Sequence, residues 1–369
     1  MKNILILNYE FPPLGGGAGN ATRYLLKEYE NHTNYNFTLV TSSTSKFRIE
    51  NPAGNVKIIF LDIHKRGSLH YQRSRDLLNY SWKAWTFCKK WTKQNHCDLI
   101  HSFFSVPCGL IAFLLGKPYI ISLRGSDVPF YNDRFYWLDK LILKELHGFI
   151  WNKAERVIAN SEGLKALAQK SFPDQQIDII PNGIDTEEFM PNEQIFTHKN
   201  LQLVSTGRLI KRKGYSILIE ALNGLNNVTL TLIGSGYQKE SLDALAKRFM
   251  VDVKFLGRVD HQDLPYHLNK ADVFVLPSFN EGMSNSVLEA MGCGLPVIIT
   301  ETGGAEELIN GNGTVVKKHD IKALQNAILK YSNHPENIKE EGKISRQIAE
   351  KMSWHSVSDA YINQYNKIL

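Results

Sequence analysis

Two glutamates set eight positions apart, Glu281 and Glu289 in PSFNEGMSNSVLEAMGCGLPVIIT, are the residues whose type and spacing first suggest chemistry. The run predicts a strand ending at Pro277, a loop carrying Glu281 and Gly282, and a helix over about residues 284–292. Glu281 then sits before the helix and Glu289 about a turn and a half along it, at ~1.5 Å of rise per residue, so both carboxylates can point into one pocket. Between them the amides of Met283, Ser284, Asn285 and Ser286 are donors of a helix N-terminus, where partial positive charge favours an anion such as a diphosphate.

Cations recur at another strand end. In STGRLIKRKGYSILIEAL a strand ends at Thr206, and Arg208 and Lys213 follow in a glycine-bounded loop where they can neutralise a diphosphate. In LTLIGSGYQKESL, Gly234 and Gly236 end a strand and let a ligand approach the backbone closely. Taken singly, each feature also has a plain structural reading. Glu281 can cap the following helix, Glu289 can be a solvated helix residue, and Arg208 and Lys213 can be surface charges on a loop.

Such residues need strands and helices to position them. Short apolar runs recur as NILIL, FTLVT, VKIIFL, DLIHSF, YIISL, RVIAN and IDIIP, with helical spacing between several, as at residues 21–29 and 163–170. The pattern restarts with LQLVSTG, VTLTLIG, VKFLG, DVFVLP, LPVIIT and GTVVK. Alternating strands and helices imply a parallel sheet covered on both faces. The 369 residues suit two domains of roughly 150 to 200 residues. The expected fold is therefore α/β, with two Rossmann-like doubly wound domains, 1–185 and 186–353, facing across a cleft that holds the ligand at the strand ends. The Pro- and Asn-rich stretch at residues 181–200 reads as their connection.

Composition narrows the class. Apolar residues make up 43% and charged residues 22%, ordinary for a globular protein with sizeable cores. The net charge of +6 is uneven, with 23 Lys and Arg against 16 Asp and Glu over residues 1–185. The four cysteines have no zinc-ribbon or C-x-x-C spacing and read as reduced, buried thiols. The N-terminal MKNILILNYEFPP reads as a first strand, its apolar run being short for a secretory signal, and no run reaches the roughly 18 apolar residues of a spanning helix. A cytoplasmic location is expected.

Taken together, GRLIKRKG, LIGSG, VKFLGRV, the Glu281 to Glu289 spacing and EAMGCGLPVI resemble family 4 of the retaining glycosyltransferases, which have the GT-B architecture. EFPPLGGGAGN, DLIHSFFSVP, SLRGSDVP, ANSEG and IIPNGID look like that family's N-terminal landmarks in order, so the resemblance covers nearly the whole chain. It implies a nucleotide-diphosphate sugar of UDP or GDP type as co-substrate, no obligatory metal or other cofactor, and transfer of a hexose-type sugar with retention to a glycan or lipid-linked acceptor in cell-envelope polysaccharide assembly. Arg208 and Lys213 would hold the diphosphate, Glu289 the ribose, and Glu281 the hydroxyls of the transferred sugar. Backbone near Arg258 and Val259 would face the base. The glycine loop at Gly16 and Gly17 would close over donor and acceptor from an acceptor-binding N-terminal domain. MSWHSVSDAYINQYNKIL, over residues 354–369, resembles the closing helix that relatives return to that domain.

No Asp-x-Asp triplet is present to hold a divalent ion against a diphosphate, a role the positive side chains can replace. Where many relatives carry histidine, this chain has Arg124 in RGSD. Arg124 stays protonated and cannot be a base, so it is expected to act as an electrostatic clamp with Asp127 orienting it, or else the two form a buried structural pair. His101 is expected to pack at the cleft wall.

Residues 73–93 read as a helix with Leu77, Ala84, Cys88 and Trp91 on one side and Arg75, Lys83, Lys89, Lys90 and Lys93 on the other. With Trp82 and Trp85 this face suits an anionic membrane surface, or else a solvated basic face over ordinary packing. No nucleic-acid-binding motif accompanies it. Rival functions are a nucleotide-dependent epimerase or oxidoreductase, whose G-x-G-x-x-G fingerprint GGGAGNAT fails at its third glycine, and a binding module without turnover.

Overall fold

A computed structural model describes residues 1–65, 69, 72–131, 136–192 and 200–369. Residues 193–199 of the expected connection lie outside the described residues. The chain divides into two compact units, Met1–Asn182 with Trp354–Leu369, and Gly183–Ser353.

The apolar runs become strands because each is short and apolar, many are rich in β-branched residues, and several are ended by Gly, Pro or Asn. In the first unit these are β1 (Lys2–Leu7), β2 (Tyr35–Ser43), β3 (Arg48–Ala53), β4 (Val56–Asp62), β5 (Leu99–Phe103), β6 (Tyr119–Ser122), β7 (Arg156–Ala159) and β8 (Asp178–Ile179). They order as β3-β4-β2-β1-β5-β6-β7-β8, parallel except for β3, which pairs antiparallel with β4. The apolar-run reading missed β3. RIENPA is mostly exposed, carries charge and proline, and forms an edge hairpin whose side chains need not be apolar.

In the second unit β9 (Leu201–Thr206), β10 (Val228–Ile233), β11 (Asp252–Gly257), β12 (Val273–Leu276), β13 (Val297–Thr300) and β14 (Gly313–Val316) form a parallel sheet ordered β11-β10-β9-β12-β13-β14. Alternate residues feed opposite cores. Val273 and Val275 of β12 join Leu203 and Ile298 on one face, while Phe274 and Leu276 join Val204, Val297 and Ile299 on the other. Burial on both faces is why the central strands β10, β9, β12 and β13 read as apolar runs, whereas the edge strand β11 alternates with exposed residues. Helix Tyr215–Ala221 covers the first face and helix Asn285–Gly292 the second.

Helix Ser74–Gln94 buries Tyr80, Ala84 and Cys88, with Leu77 and Trp91 half-buried against the core. Trp82 is 66% exposed, and Lys89 Nζ lies 4.9 Å from the centre of the Trp85 ring. All four cysteines are buried and unpaired, and burial pushes the Cys97 thiol up to about 11.

Helix Trp354–Ile368 packs within the first unit through Trp354, Val357, Tyr361 and Tyr365, all buried. The Tyr365 hydroxyl lies 2.9 Å from that of Tyr29 and 2.6 Å from His101 Nδ1, and His101 Nε2 lies 2.8 Å from Ser122 Oγ. His101 is thus fully buried in the first unit's core. Burial, reinforced by the Arg124 charge, pulls its pKa well down and leaves it neutral.

Candidate functional site

The parallel sheet of the second unit puts the carboxyl ends of β9, β10 and β12 beside one another, and the loops that leave them carry the expected residues. After Thr206 the chain crosses Gly207, Arg208 and the helical turn Lys211–Lys213. Arg208 is exposed, and its side chain makes no hydrogen bond or ion pair among the described residues. Lys213 is buried, its Nζ running beside Gly207. Gly214 has φ +68°, and a Cβ there would meet the Pro277 carbonyl oxygen at 2.0 Å, so this loop and the one after β12 close on each other only through a glycine. Gly234, at φ +141°, likewise abuts the Gly207 carbonyl, and a Cβ at Gly236 would meet that of Leu209. These glycines therefore permit loop-to-loop contact, a reason the sequence reading did not supply.

The contact brings charge together. Glu281 Oε1 lies 2.8 Å from Lys213 Nζ and 3.4 Å from Arg212 Nη1, with the Glu281 and Lys213 side chains only 12% and 11% exposed. Arg212 Nη1 also donates to the Asn280 carbonyl, and Phe279 N donates to the Arg212 carbonyl at 2.8 Å. Burial pushes the Glu281 pKa up, but Lys213 and then Arg212 outweigh it and hold the carboxyl below its ordinary range. Glu281 is anchored as a carboxylate by two cations. Arg212, which the sequence reading passed over, is one of them.

Gly282, Met283 and Ser284 are buried, and helix Asn285–Gly292 begins after Ser284, whose own side chain makes no capping hydrogen bond. The Ser284 hydroxyl lies 3.0 Å from that of Ser286. The amide end of this helix adjoins the Glu281 loop, and its partial positive charge faces the same region as the Glu281 cluster.

Glu289, on that helix, meets a group the sequence reading also missed. Its Oε1 lies 3.2 Å from His261 Nε2, and His261 Nδ1 lies 3.1 Å from Glu188 Oε1. Burial pulls the His261 pKa down, but the hydrogen bonds from Glu188 and Glu289 raise it overall to about 9. Arg258, just past β11, is exposed, whereas Val259 packs against the core.

The remaining predicted residues lie in the first unit. Helix Gly17–Tyr29 starts after Gly16, whose N–H donates to Glu10 Oε2 at 3.2 Å and whose Cβ position opens on space. Asp127 is buried, and its oxygens accept from the Arg124 N–H at 2.8 Å and the Ser105 N–H at 2.9 Å. Burial raises its pKa, against the pull of those amides and of Arg124. The Arg124 guanidinium instead donates to Asn182 Oδ1 at 2.6 Å and Tyr361 Oη at 3.4 Å, and lies 4.7 Å from the Phe103 ring centre. Its Nε is buried without a partner among the described residues.

Among the described residues, no three His, Cys, Asp or Glu side chains gather to hold a metal ion, and no helix is long and apolar enough to cross a membrane. Residues 15–188 match the model of "Glycosyltransferase Family 4", and residues 185–349 match "Glycosyl transferases group 1". An uncharacterized glycosyltransferase of Methanocaldococcus jannaschii is 28% identical over 298 residues, 77% of this chain and 79% of its own. A GDP-mannose-dependent monoacylated alpha-(1-6)-phosphatidylinositol monomannoside mannosyltransferase of Corynebacterium glutamicum is 30% identical over 207 residues, 50% of this chain and 54% of its own. Among solved structures, sucrose-phosphate synthase of Thermosynechococcus elongatus superposes with TM-score 0.85 over 100% of this chain and 99% of its own, at 21% identity.

Proposed function

Because this chain belongs to glycosyltransferase family 4, of the group 1 glycosyltransferases with GT-B fold, we propose that it moves a hexose-type sugar, with retention and without an obligatory metal, from a nucleotide-diphosphate sugar to a glycan or lipid-linked acceptor. The observation that carries this reading is the meeting of Lys213 and Arg212 with Glu281 beside a helix start. Breaking the anomeric bond puts negative charge on the leaving diphosphate, and fixed cations and helix amides in a partly buried loop stabilise that charge as it develops. Arg208, exposed in the same loop, and Lys213 are assigned to the diphosphate, and Met283, Ser284 and Asn285 to the amide end. Glu281 is assigned to the sugar hydroxyls and Glu289 to the ribose. The backbone at Arg258 and Val259 is assigned to the base, and Gly234 and Gly236 to close backbone approach.

In the first unit, which we assign to the acceptor, the buried unpartnered Nε of Arg124 supports the clamp role, with Asp127 holding the loop through backbone amides. The open space at Gly16 supports a glycine loop next to a ligand. The mannosyltransferase among the relatives is named for GDP-mannose and a phosphatidylinositol mannoside, which supports a nucleotide-sugar donor and a lipid-linked acceptor. Envelope polysaccharide assembly at the inner face of the cell membrane fits that acceptor class. Exposed Trp82, and the exposed Trp137, Leu141 and Ile142 near Lys140 and Lys144, support docking on an anionic surface.

The tests are direct. A thermal-shift screen against UDP, GDP and ADP should give one clear stabilising nucleotide. Transfer from the matching sugar should persist in excess chelator and give the retained anomer by NMR. Loss of transfer restored by manganese, or an inverted product, would overturn the metal-free or the retaining part, and binding with no turnover would favour a non-catalytic sugar-nucleotide or glycan binding module. Flotation that ignores anionic lipid would remove the membrane.

A further inference from the structure

His261 belongs to none of the recognisable motifs, yet it is set between two carboxylates from distant parts of the chain. We propose that His261 is a positioning residue for the donor nucleotide: held by Glu188 on one ring nitrogen, it fixes Glu289 with the other, leaving Glu289 Oε2 to a ribose hydroxyl. The proposal rests on the assignment of Glu289 to the ribose and extends it to the two residues behind that carboxylate.

Each corner of the bridge is itself fixed. His261 opens the helical turn His261–Asp263 just after β11, and its ring stands edge-on to Phe189, 5.2 Å between centres. Phe189 is fully buried, and its carbonyl accepts from Arg346 Nη1 at 2.7 Å. Glu188 precedes it in a turn closed by Asp185, whose Oδ1 accepts the N–H groups of Glu187 and Glu188 at 3.1 and 3.0 Å. Glu289 projects from helix Asn285–Gly292, and only its Oε1 is engaged among the described residues. The side chains of His261, Glu188 and Glu289 are 23%, 25% and 13% exposed, so the bridge is largely shielded from solvent.

The chemistry follows from the number of protons on the ring. A neutral imidazole carries one N–H and can donate to one carboxylate, whereas the imidazolium donates to both. The charged groups facing His261 are Glu188 and Glu289, with Arg346 beyond them acting on Cys293 near Glu289. The two carboxylates keep the ring charged through the neutral range, its pKa lying at about 9. Above that pH the ring has a single N–H for two carboxylates, so Glu188 and Glu289 compete for it and Glu289 is held only in part.

The experiment measures UDP, GDP and ADP binding by calorimetry from pH 6 to 10, with NMR titration of the histidine ring, in the wild type, His261→Gln and Glu188→Gln. Expected for the wild type is an affinity that falls as pH rises through about 9, in step with the ring titration. His261→Gln should bind the selected nucleotide about tenfold more weakly with a flat profile, and should raise KM for the sugar nucleotide while leaving kcat within about twofold. Glu188→Gln, which leaves Glu289 and the ring in place, should move both the titration and the affinity loss to lower pH. Wild-type affinity and pH profile in His261→Gln, or a loss of melting temperature with no change in affinity in Glu188→Gln, would overturn the proposal. Failure of the wild type to bind any of the nucleotides would instead overturn the donor-site assignment, and this proposal with it.

Discussion

Glu281 and Glu289 lie on one loop and helix but are held by different partners, so their replacement should have different consequences. Glu289→Gln should mainly raise the KM for the donor, and Glu281→Gln should mainly lower kcat and sugar discrimination; identical defects in steady-state kinetics would undo that division. Lys213→Met leaves a shielded carboxylate with Arg212 at 3.4 Å as its neighbouring cation, and should cost about 3 kcal/mol in urea unfolding on top of any loss of transfer. The pH dependence has a definite sign. Because the folded pKa of Glu281 is depressed, its stabilisation is present above the unfolded carboxylate pKa and is lost as pH falls through the folded value. His261 is the opposite case: its stabilisation is full below its unfolded pKa and is lost as pH rises through about 9. Melting temperatures of the wild type should therefore decline at both ends of the range, with Glu281→Gln blunting the acid limb and His261→Gln the alkaline one. Lys213 and Glu281 were legible because each sits in a loop with its own glycine punctuation. Arg212 was not, because adjacent cations in KRK look alike until a fold sends one to Glu281. Glu188 and Glu289 lie 73 and 28 positions from His261, beyond the reach of any local pattern.

At the scale of elements, glycine does its work where two loops meet. Gly214→Ala would force a Cβ to within 2.0 Å of the Pro277 carbonyl at a positive φ, so a loss of about 2–4 kcal/mol by chemical denaturation is expected, with weakened nucleotide binding. Gly54→Ala, where a Cβ meets nothing, should stay within about 0.5 kcal/mol of wild type. The strand ends and helix starts around the site were readable because apolar runs bounded by glycine are local signals. β3 was not, because an edge hairpin with exposed, charged residues carries no apolar run; its pairing with β4 comes from the turn at Gly54 and Asn55 and from register.

At the scale of the whole molecule, the last helix belongs to the unit formed by the first half of the chain. Tyr365 joins Tyr29 and His101 through its hydroxyl, and Tyr361 joins Ser122 at 3.0 Å. Tyr365→Phe strips a partner from two buried polar groups and should destabilise that unit by about 1–3 kcal/mol in urea melts. Removing residues 354–369 uncovers Trp354, Val357, Tyr361 and Tyr365 contacts at once and should leave the first unit unfolded or aggregated by circular dichroism and light scattering.

The sequence by itself determined the α/β class, the parallel direction of most strands, the loops that carry Arg208, Lys213 and Glu281, and the helix that carries Glu289, because strand period, helix period and glycine punctuation act over a few residues. Only the tertiary structure decided which charges meet. It set Lys213 and Arg212 on Glu281, turned Arg124 toward Asn182 and Tyr361, and placed His261 between Glu188 and Glu289. Those contacts depend on the register of sheets and the closure of loops, which a linear pattern does not encode at separations such as the 336 positions between Tyr29 and Tyr365.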